Sequence, residues 1–267
     1  MVGCGEEPAQ NSPESNQTSA EPLDAKTAEL TKVDLDDPET RDKIISEAID
    51  FYNLKYRGKE GEGLVYASNQ QTPYTGWGKG GIYRNGQIGS LTLWKSGKKD
   101  GVSIGWDENG QKKSEVTYKE GKADGLGTLW YENGHKKGEG NFKDGKQDGP
   151  WVTWYENGQK QAEGSYKDGN KDGLWTYWYK NGLKKLEEHW KDGKVNGARG
   201  TFWYENGQKE QEFSYKDGKV VSAVVWKPNG EKCPVTNVKD GNGVVVTYYE
   251  DGTEVIRVTY KDGEPVD

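Results

Sequence analysis

Most of this chain consists of one cassette that recurs about every 24 residues. Residues 155–194, YENGQKQAEGSYKDGNKDGLWTYWYKNGLKKLEEHWKDGK, nearly repeat themselves after 24 positions. Aligned on an Asn-Gly step, successive cassettes lie 24, 24, 24, 24, 25, 23 and 22 residues apart, and Asp replaces Asn in the last one. A period of this length indicates a tandem array of one small structural unit. The aligned positions are Asn85, Asn109, Asn133, Asn157, Asn181, Asn206, Asn229 and Asp251.

Each cassette contains two turn signals separated by segments of strand length. In one cassette these signals are ENG at 132–134 and KDG at 143–145. Two strands joined by an Asn-Gly or Asp-Gly turn form a β-hairpin, and the second turn leads into the next hairpin. We therefore predict an all-β fold: an extended, twisted antiparallel meander of tandem hairpins over residues 79–267.

The length of the turn decides which side chains share a face of the sheet. We predict three-residue loops at both turns, with the glycine left-handed in a bulge. This register places Leu126 opposite Gly140, Thr128 opposite Gly138 and Trp130 opposite Lys136. It favours burial of the rings, each worth about 2 kcal/mol. It requires positive φ at the turn glycines Gly110, Gly134, Gly158, Gly182 and Gly207.

Two columns of side chains define the faces in this register. The first holds a tryptophan three residues before each Asn from Asn109 to Asn229, predicted to share a face with the small residues of the returning strand. The second holds glutamates, predicted to lie on the other face. The tryptophans are Trp106, Trp130, Trp154, Trp178, Trp203 and Trp226, and the glutamates are Glu115, Glu139, Glu163, Glu187 and Glu212.

The segment before the array reads as one capping helix and a lead-in. Residues 38–57 are predicted to form an amphipathic helix, with Asp37 as N-cap and Pro38 at its first position. Gly58 is the expected stop. Residues 58–78 are predicted to be lead-in strands.

The N-terminal residues 1–37 are predicted to be a lipobox-like start followed by a disordered acidic tether. The opening MVGC resembles the end of a bacterial lipobox, which makes Cys4 a candidate for lipidation. The apolar region that should precede it is absent, so either the true start lies upstream or the match is accidental. Processing at Cys4 would place the protein in the cell envelope, and without it the protein would be cytoplasmic.

The acidic charge is confined to this N-terminal part of the chain. Residues 1–42 hold eleven acids and three bases, which leaves 33 acids and 34 bases for the remainder. A nearly neutral array lacks the one-signed field that nucleic acid or an anionic membrane surface requires. We therefore expect no nucleic-acid partner, and contact with a membrane only through an anchor at Cys4.

No catalytic, metal or cofactor site is predicted. The two histidines, His135 and His189, have no Ser or Cys beside them in a catalytic pattern. The stretch DGNKDG at 168–173 resembles the opening of a calcium loop, but the equivalent DGKQDG at 144–149 places Lys146 at a ligand position. Turn chemistry explains both stretches. We therefore predict that the protein is not an enzyme.

The cassette form YENGQK followed by EG, YKDGK and DGLW resembles the MORN repeat variant of bacterial YwqK-type antitoxins. The resemblance covers residues 73–263, and the stretches TPYTGW at 72–77 and WKPNGEKCPVTNVKDG at 226–241 also resemble that group. It implies an open meander of hairpins that contacts partners. It also implies a role as an antitoxin, in which case the protein partner would be a toxin.

Two functions fit these observations. The first is a non-enzymatic scaffold that binds another protein. A second aromatic column, on the face opposite the tryptophans, is the candidate contact surface, since Tyr and Trp dominate contact energies in interfaces. The alternative is a lipoprotein that binds cell-envelope glycan or peptidoglycan, because exposed rings also stack on sugars. The candidate partner contacts are Tyr131, Tyr155, Tyr179 and Tyr204.

Overall fold

The computed structural model describes residues 33–59, 63–195 and 200–266. Within these ranges the protein is predominantly β-structure. The helical elements are α1 (Pro38–Glu47) and a 3-10 turn (Phe51–Asn53). The strands are β1 (Ile49–Asp50), β2 (Leu54–Arg57), β3 (Leu64–Ala67), β4 (Gly76–Gly80), β5 (Ser90–Lys95), β6 (Lys98–Trp106), β7 (Lys112–Lys119), β8 (Lys122–Trp130), β9 (Lys136–Lys143), β10 (Lys146–Trp154), β11 (Lys160–Lys167), β12 (Asn170–Trp178), β13 (Lys184–Lys191), β14 (Lys194–Val195), β15 (Gly200–Trp203), β16 (Lys209–Lys216), β17 (Lys219–Val225), β18 (Gly243–Tyr248), β19 (Glu254–Lys261) and β20 (Glu264–Val266).

One long sheet of 15 strands dominates the structure, and its strands follow the chain order. From β4 to β13 every strand pairs antiparallel with the next, and β15, β16 and β17 continue the same sheet. The single parallel pair joins β1 to β4. The strands β18–β20 form a separate three-stranded sheet, and β2 and β3 form a two-stranded one. This confirms the predicted all-β meander of tandem hairpins.

The predicted three-residue loop is present at each Asn-Gly turn. In the unit around Asn133, the amide of Gly134 donates to the carbonyl of Tyr131, and the amide of Tyr131 donates to the carbonyl of His135. The loop residues are therefore 132–134. Gly134 has φ +85°, and the equivalent glycines have φ between +80° and +87°, as the left-handed position requires.

The prediction was wrong for the second turn, which has two loop residues instead of three. Lys143 pairs with Lys146, so only Asp144 and Gly145 lie between the strands. Both residues have positive φ, +50° and +86°. This is the type I′ turn, whose twist matches that of the flanking strands. Aspartate is one of the few side chains that tolerate the left-handed region, which explains Asp-Gly here.

The predicted register was also wrong, because the returning strand carries a second bulge. Trp130 does lie opposite Lys136, as predicted, but Leu129 then pairs with Gly138, which leaves Lys137 as an extra residue. This extra residue reverses the alternation of side chains once more, and so cancels the reversal made by the three-residue loop. The consequence is that Thr128 faces Glu139 instead of Gly138, and Leu126 pairs with Asn141 instead of Gly140.

The sheet consequently has two faces of different composition. On the tryptophan face, the indole column shares the surface with the glutamates, as in the hydrogen bond from Thr128 Oγ1 to Glu139 Oε2. The prediction that these columns lie on opposite faces is wrong. The tryptophan face carries Trp130, Trp154, Trp178, Trp203, Glu139, Glu163 and Glu187. The opposite surface, the glycine face, carries Gly138, Gly140, Ala162 and Gly164 with the rings of Phe142, Trp151, Tyr166, Trp175 and Tyr177.

The helix α1 begins as predicted and ends ten residues earlier than predicted. Asp37 caps it by accepting from the amide of Thr40 at 2.8 Å, and Pro38 is its first residue. It ends at Glu47 because Ile49 and Asp50 pair with β4, and Phe51 then lies against Gly78 and Gly80. Sheet pairing and ring burial thus override the helical pattern of residues 48–57.

Each end of the long sheet is covered by the chain on a different face. At the N-terminal end, Ile45 of α1 and Ala48, which follows the helix, pack in the cluster that contains Ile104 and Trp106 of the tryptophan face. At the C-terminal end, Val245 and Val246 of β18 pack with Phe213 of the glycine face. The middle of both faces has no such cover within the described ranges. The predicted N-terminal tether and Cys4 lie outside the described residues, apart from residues 33–37.

Candidate interaction surface

The tyrosine column lies along the edge of the sheet formed by the Asn-Gly loops, which we call the asparagine edge. Each tyrosine donates its hydroxyl to the main-chain carbonyl of the tryptophan in the next unit. The distances are 2.8 Å from Tyr131 to Trp154, 2.8 Å from Tyr155 to Trp178, 2.7 Å from Tyr179 to Trp203 and 2.9 Å from Tyr204 to Trp226. The structure thus places the four predicted residues in one row and gives them a role in joining units. Their contact with a partner stays a prediction.

Burial raises the pKa of three of these hydroxyls and so favours their protonated, donor form. Burial, reinforced by nearby glutamates, raises the pKa of Tyr179 to about 12, and burial and Glu210 do the same for Tyr204. Burial is also the first cause that raises the pKa of Tyr155. All three phenols therefore carry their proton at neutral pH and can donate it to the carbonyl of the next unit.

Replacing Tyr155 by phenylalanine tests this role. The change leaves the carbonyl of Trp178 without its donor, so we expect the free energy of unfolding to fall by about 1 kcal/mol. Tyr249→Phe is the matched control, since Tyr249 occupies the same column in the last unit and is 59% exposed. Urea unfolding followed by circular dichroism measures both. Equal losses in the two variants would contradict the role.

Main-chain and side-chain bonds join the units at both edges. At the asparagine edge, Nδ2 of Asn133 donates to the carbonyl of Glu156 at 2.8 Å, and the next units repeat this bond. At the opposite edge, which we call the aspartate edge, the amide of Asp144 donates to Oδ2 of Asp124, and the amide of Gly145 donates to Ala123. Both edges therefore fix the orientation of each hairpin on the one before it.

The tryptophan face is largely satisfied by its own side chains. A lysine ammonium from the returning strand of one unit lies over the indole of the next, 5.9 Å from the centroid for Lys136 and Trp154. The same lysine pairs with Glu139 three residues on. The arrangement recurs with Lys112, Lys160, Lys184 and Lys209. This face offers a partner few groups that lack a contact.

On the glycine face, the aromatic rings lie flat against the glycines of neighbouring strands. A Cβ added to Gly140 would stand 2.0 Å from the Trp151 ring, and one added to Gly164 would stand 2.3 Å from Trp175. The rings also contact one another edge to face, with centroids 5.9 Å apart for Trp151 and Tyr166 and 5.0 Å apart for Tyr166 and Trp175. Glycine thus provides the space that a ring needs to approach the backbone.

The rings of the glycine face form an open aromatic cleft of about 430 Å³. Trp175 is buried, with 2% of its surface exposed, whereas the neighbouring rings are partly exposed. One predicted contact residue, Tyr155, lines this cleft. The other lining groups include Trp151, Thr153, Gln161, Ala162, Tyr166, Lys171, Trp175, Tyr177, Lys185 and Leu186.

A lysine and a glutamate stand among these rings. Nζ of Lys171 lies 4.4 Å from the Trp175 centroid and 4.9 Å from that of Trp190, and it donates to the hydroxyl of Tyr177. Burial raises the pKa of Glu188, and Lys171 opposes that shift. Glu188 occupies the repeat position that Gly140 and Gly164 hold in the two preceding units, so this unit has a carboxylate where those units have glycine.

The sequence pointed to the tyrosine column and missed the aromatic cleft. Trp151 and Trp175 fall six residues before their asparagines, where neighbouring units have Gly127 and Gly200. The sequence signal for the cleft was that this repeat position holds an aromatic residue in some units and glycine in others. It could be read only once the extra bulge residue had set the register.

The described part of the chain includes the calcium-loop-like stretch and both histidines. Its acids, histidines and cysteine form no group of three that could hold a metal ion. Asp168 lies in a type I′ turn, and its amide donates to Asp148, as turn chemistry predicts. His135 is exposed, with Nδ1 2.8 Å from the carbonyl of Glu156. None of the helices in the described ranges combines the length and apolar character needed to cross a bilayer.

Four of the hairpin units match a known repeat family. The model of the MORN repeat variant matches residues 99–120, 123–144, 147–168 and 199–217. Each match corresponds to one hairpin, such as β8–β9 or β10–β11. The unit between the last two matches is the one in which Leu186 and Glu188 replace small residues. No curated protein matches the chain.

Proposed function

We propose, from the premise that this chain is built on MORN repeat variants, that it is a non-enzymatic scaffold that binds another protein through the glycine face. The observation that carries the proposal is the aromatic cleft lined by Trp151, Tyr166 and Trp175. The cleft is formed by positions of the repeat whose equivalents farther along the chain, Phe213 and Tyr215, pack against β18.

The chemistry of the cleft supports a protein partner. Aromatic rings held rigidly by glycines lose little conformational entropy on binding, and Trp and Tyr supply most of the energy in interfaces. Lys171 and Glu188 add one charge of each sign among the rings, which would orient a partner. Leu129 extends the surface with a side chain that is 42% exposed.

The identity and location of the partner are further parts of this proposal. The resemblance to YwqK-type antitoxins supports a toxin as the protein bound. The lipobox-like MVGC supports an anchor at Cys4 and a place in the cell envelope, and the acidic residues that follow Cys4 would separate the array from the membrane surface.

Capture from a lysate of the source cells tests the surface. The full chain serves as bait, together with Leu129→Arg and Thr153→Arg, which add charge to the glycine face. We expect both variants to lose at least about tenfold of the captured protein, as the desolvation of an unpaired charge in an interface predicts. Leu174→Arg is the matched control, since Leu174 lies on the tryptophan face and is 46% exposed.

The outcomes separate the proposals. Capture of one protein that Leu129→Arg and Thr153→Arg lose and Leu174→Arg keeps supports the glycine face. Equal capture by all variants contradicts it. Mass spectrometry of intact protein from the source cells tests the anchor, because lipidation adds the mass of acyl chains at Cys4.

Glycan binding is the alternative function that the cleft supports. Its rings stand beside Gln161 and Lys185, whose amide and ammonium could hydrogen-bond to sugar hydroxyls. Retention of the full chain on insoluble cell wall, abolished by free oligosaccharide and by Thr153→Arg, would favour this function over protein binding.

A further inference from the structure

The side chain of Asn109 lacks two bonds that hold the asparagine at most other Asn-Gly steps. At those steps Oδ1 accepts from a main-chain amide and Nδ2 donates to a main-chain carbonyl. For Asn157 the partners are the amide of Gln159 at 3.1 Å and the carbonyl of Lys180 at 3.0 Å. Within the described ranges, Asn109 is the asparagine of such a step that makes neither bond. Both bonds recur at Asn85, Asn133, Asn181, Asn206 and Asn242, and Asn229 keeps the bond of its Oδ1.

Asp107 explains this difference. It stands where most of the equivalent loops have a tyrosine, such as Tyr155. Oδ1 of Asp107 accepts from the amides of Asn109 and Gln111, at 2.8 and 2.9 Å, and so takes the amide that the asparagine would otherwise bind. In the orientation that satisfies both of its amide atoms, Gln111 donates to the carbonyl of Glu132 in the next unit at 2.8 Å. Other side chains therefore occupy both partners of Asn109.

The local sequence of the step is not the cause. The amide of the glycine after the asparagine donates to the carbonyl three residues back in these loops, at 3.0 Å for Gly110 and 2.9 Å for Gly158. The loops therefore differ in the bonds of the asparagine side chain and not in its neighbours along the chain. The same pentapeptide, ENGQK, surrounds Asn109, Asn157 and Asn206.

We propose that Asn109 is a site of selective deamidation, at which asparagine is converted to aspartate and isoaspartate. The backbone nitrogen of Gly110 gives up its proton and attacks Cγ of Asn109. The new N–C bond closes a succinimide ring, and the side-chain nitrogen takes a proton and leaves as ammonia. Water then opens the ring at one of its two carbonyls. Glycine favours the attack because it has no Cβ to hinder the approach.

The two side-chain bonds oppose this reaction at the other steps. The attack requires Cγ to turn towards the nitrogen of the following glycine, so a held asparagine must first break both bonds. Two hydrogen bonds of ordinary strength lower the population of the released side chain by at least about tenfold. Asn109 is exposed and has neither bond to break, so it should react first.

Conversion at Asn109 would leave the joint between the units in place. Gln111, and not Asn109, donates to the carbonyl of Glu132. The product adds one carboxylate next to Asp107 and Glu108 at the asparagine edge. The inference is independent of the proposed function, because this loop belongs to a different unit from the aromatic cleft.

Peptide mapping of the full chain by mass spectrometry tests the proposal. The folded protein is kept in mildly alkaline buffer, and conversion at Asn109, Asn157 and Asn206 is followed over time. We expect Asn109 to convert at least about tenfold faster than the other two. In concentrated urea the three rates should be equal, since the local sequences are identical. Equal rates in the folded protein would overturn the proposal.

Exchange of the first loop residue provides the second test. Tyr155→Asp gives the loop of Asn157 the acid that Asp107 supplies, and conversion at Asn157 should rise at least about threefold, because one bond is lost. Asp107→Tyr should slow conversion at Asn109. Asn206 is the reference in both variants, and its rate should not change. Rates at Asn109 and Asn157 that stay the same in both variants would contradict the role of Asp107.

Discussion

Replacing Gly140 by alanine is expected to lower the free energy of unfolding by about 2 to 3 kcal/mol, the upper part of the range found when a packed site is overfilled. The added methyl group would stand 2.0 Å from Cε3 of Trp151, much closer than two carbon atoms can lie. The indole is also in edge-to-face contact with Phe142 and Tyr166. Movement of one ring therefore disturbs its neighbours.

Gly138→Ala is the control for this prediction. Gly138 lies on the same strand and the same face, but an added Cβ would approach nothing closer than 3.8 Å. Its effect should stay within about 0.5 kcal/mol, and it can be stabilising because alanine restricts the unfolded chain. Urea unfolding of the two variants measures the difference.

The double variant Gly140→Ala with Trp151→Ala identifies the cause. If the methyl group acts through the indole, it should cost little once the indole is removed. A loss from Gly140→Ala that persists without the ring would contradict this explanation and indicate a strain in the backbone.

Replacing Trp175 by alanine is the second large effect, with an expected loss of about 3 to 5 kcal/mol. This indole is 2% exposed and lies against Gly164, between Tyr166 and Lys171. Its removal leaves a cavity beside the backbone and takes away the ring over which the Lys171 ammonium lies. The loss should be local, because each unit contacts only its neighbours.

Hydrogen exchange checks the location of this loss. We expect faster exchange in β11, β12 and β13 of Trp175→Ala, and unchanged exchange in β5 and β6. Trp178→Ala is the matched control, since Trp178 lies on the tryptophan face and is partly exposed. Its expected loss is less than about 2 kcal/mol. Comparable losses in the two variants would contradict the assignment of the buried ring.

The repeat period determined the fold class, and one turn type followed from it. Asn-Gly with a preceding glutamate predicts a three-residue loop, and the side chain of Asn133 confirms the reason, since Oδ1 accepts from the amide of His135. A three-residue loop was also predicted for the Asp-Gly turn, but the lysines on its two sides pair directly with each other. A type I′ turn accepts Asp at φ +50°, and Asp-Gly alone does not distinguish the two loops.

The bulge at Lys137 could not be predicted from local sequence. The equivalent positions hold Lys113, Gln161, Lys185 and Glu210, so no residue type marks them. The bulge exists because it places Gly140 under a ring, a contact between strands of different hairpins. Such a contact is invisible within one cassette. An error of one residue therefore exchanged the two faces and concealed the cleft.

The end of α1 shows the same limit. Ile49 and Tyr52 continue its apolar stripe, yet Ile49 pairs with Gly78 and Tyr52 is 85% exposed. Phe51 packs over two glycines of β4, a contact that a continuing helix would not allow. The tyrosine column was predicted on the face opposite the tryptophans, whereas its hydroxyl bonds run along the asparagine edge and depend on how hairpins stack.

The order of the strands has a mechanical consequence. Because successive strands are neighbours, the long axis of the array runs across the strands and along their hydrogen bonds. Tension applied between the two ends of the protein would load every strand pair in series, and the bonds of one pair would break one after another. Such a sheet would therefore extend hairpin by hairpin when the protein is stretched.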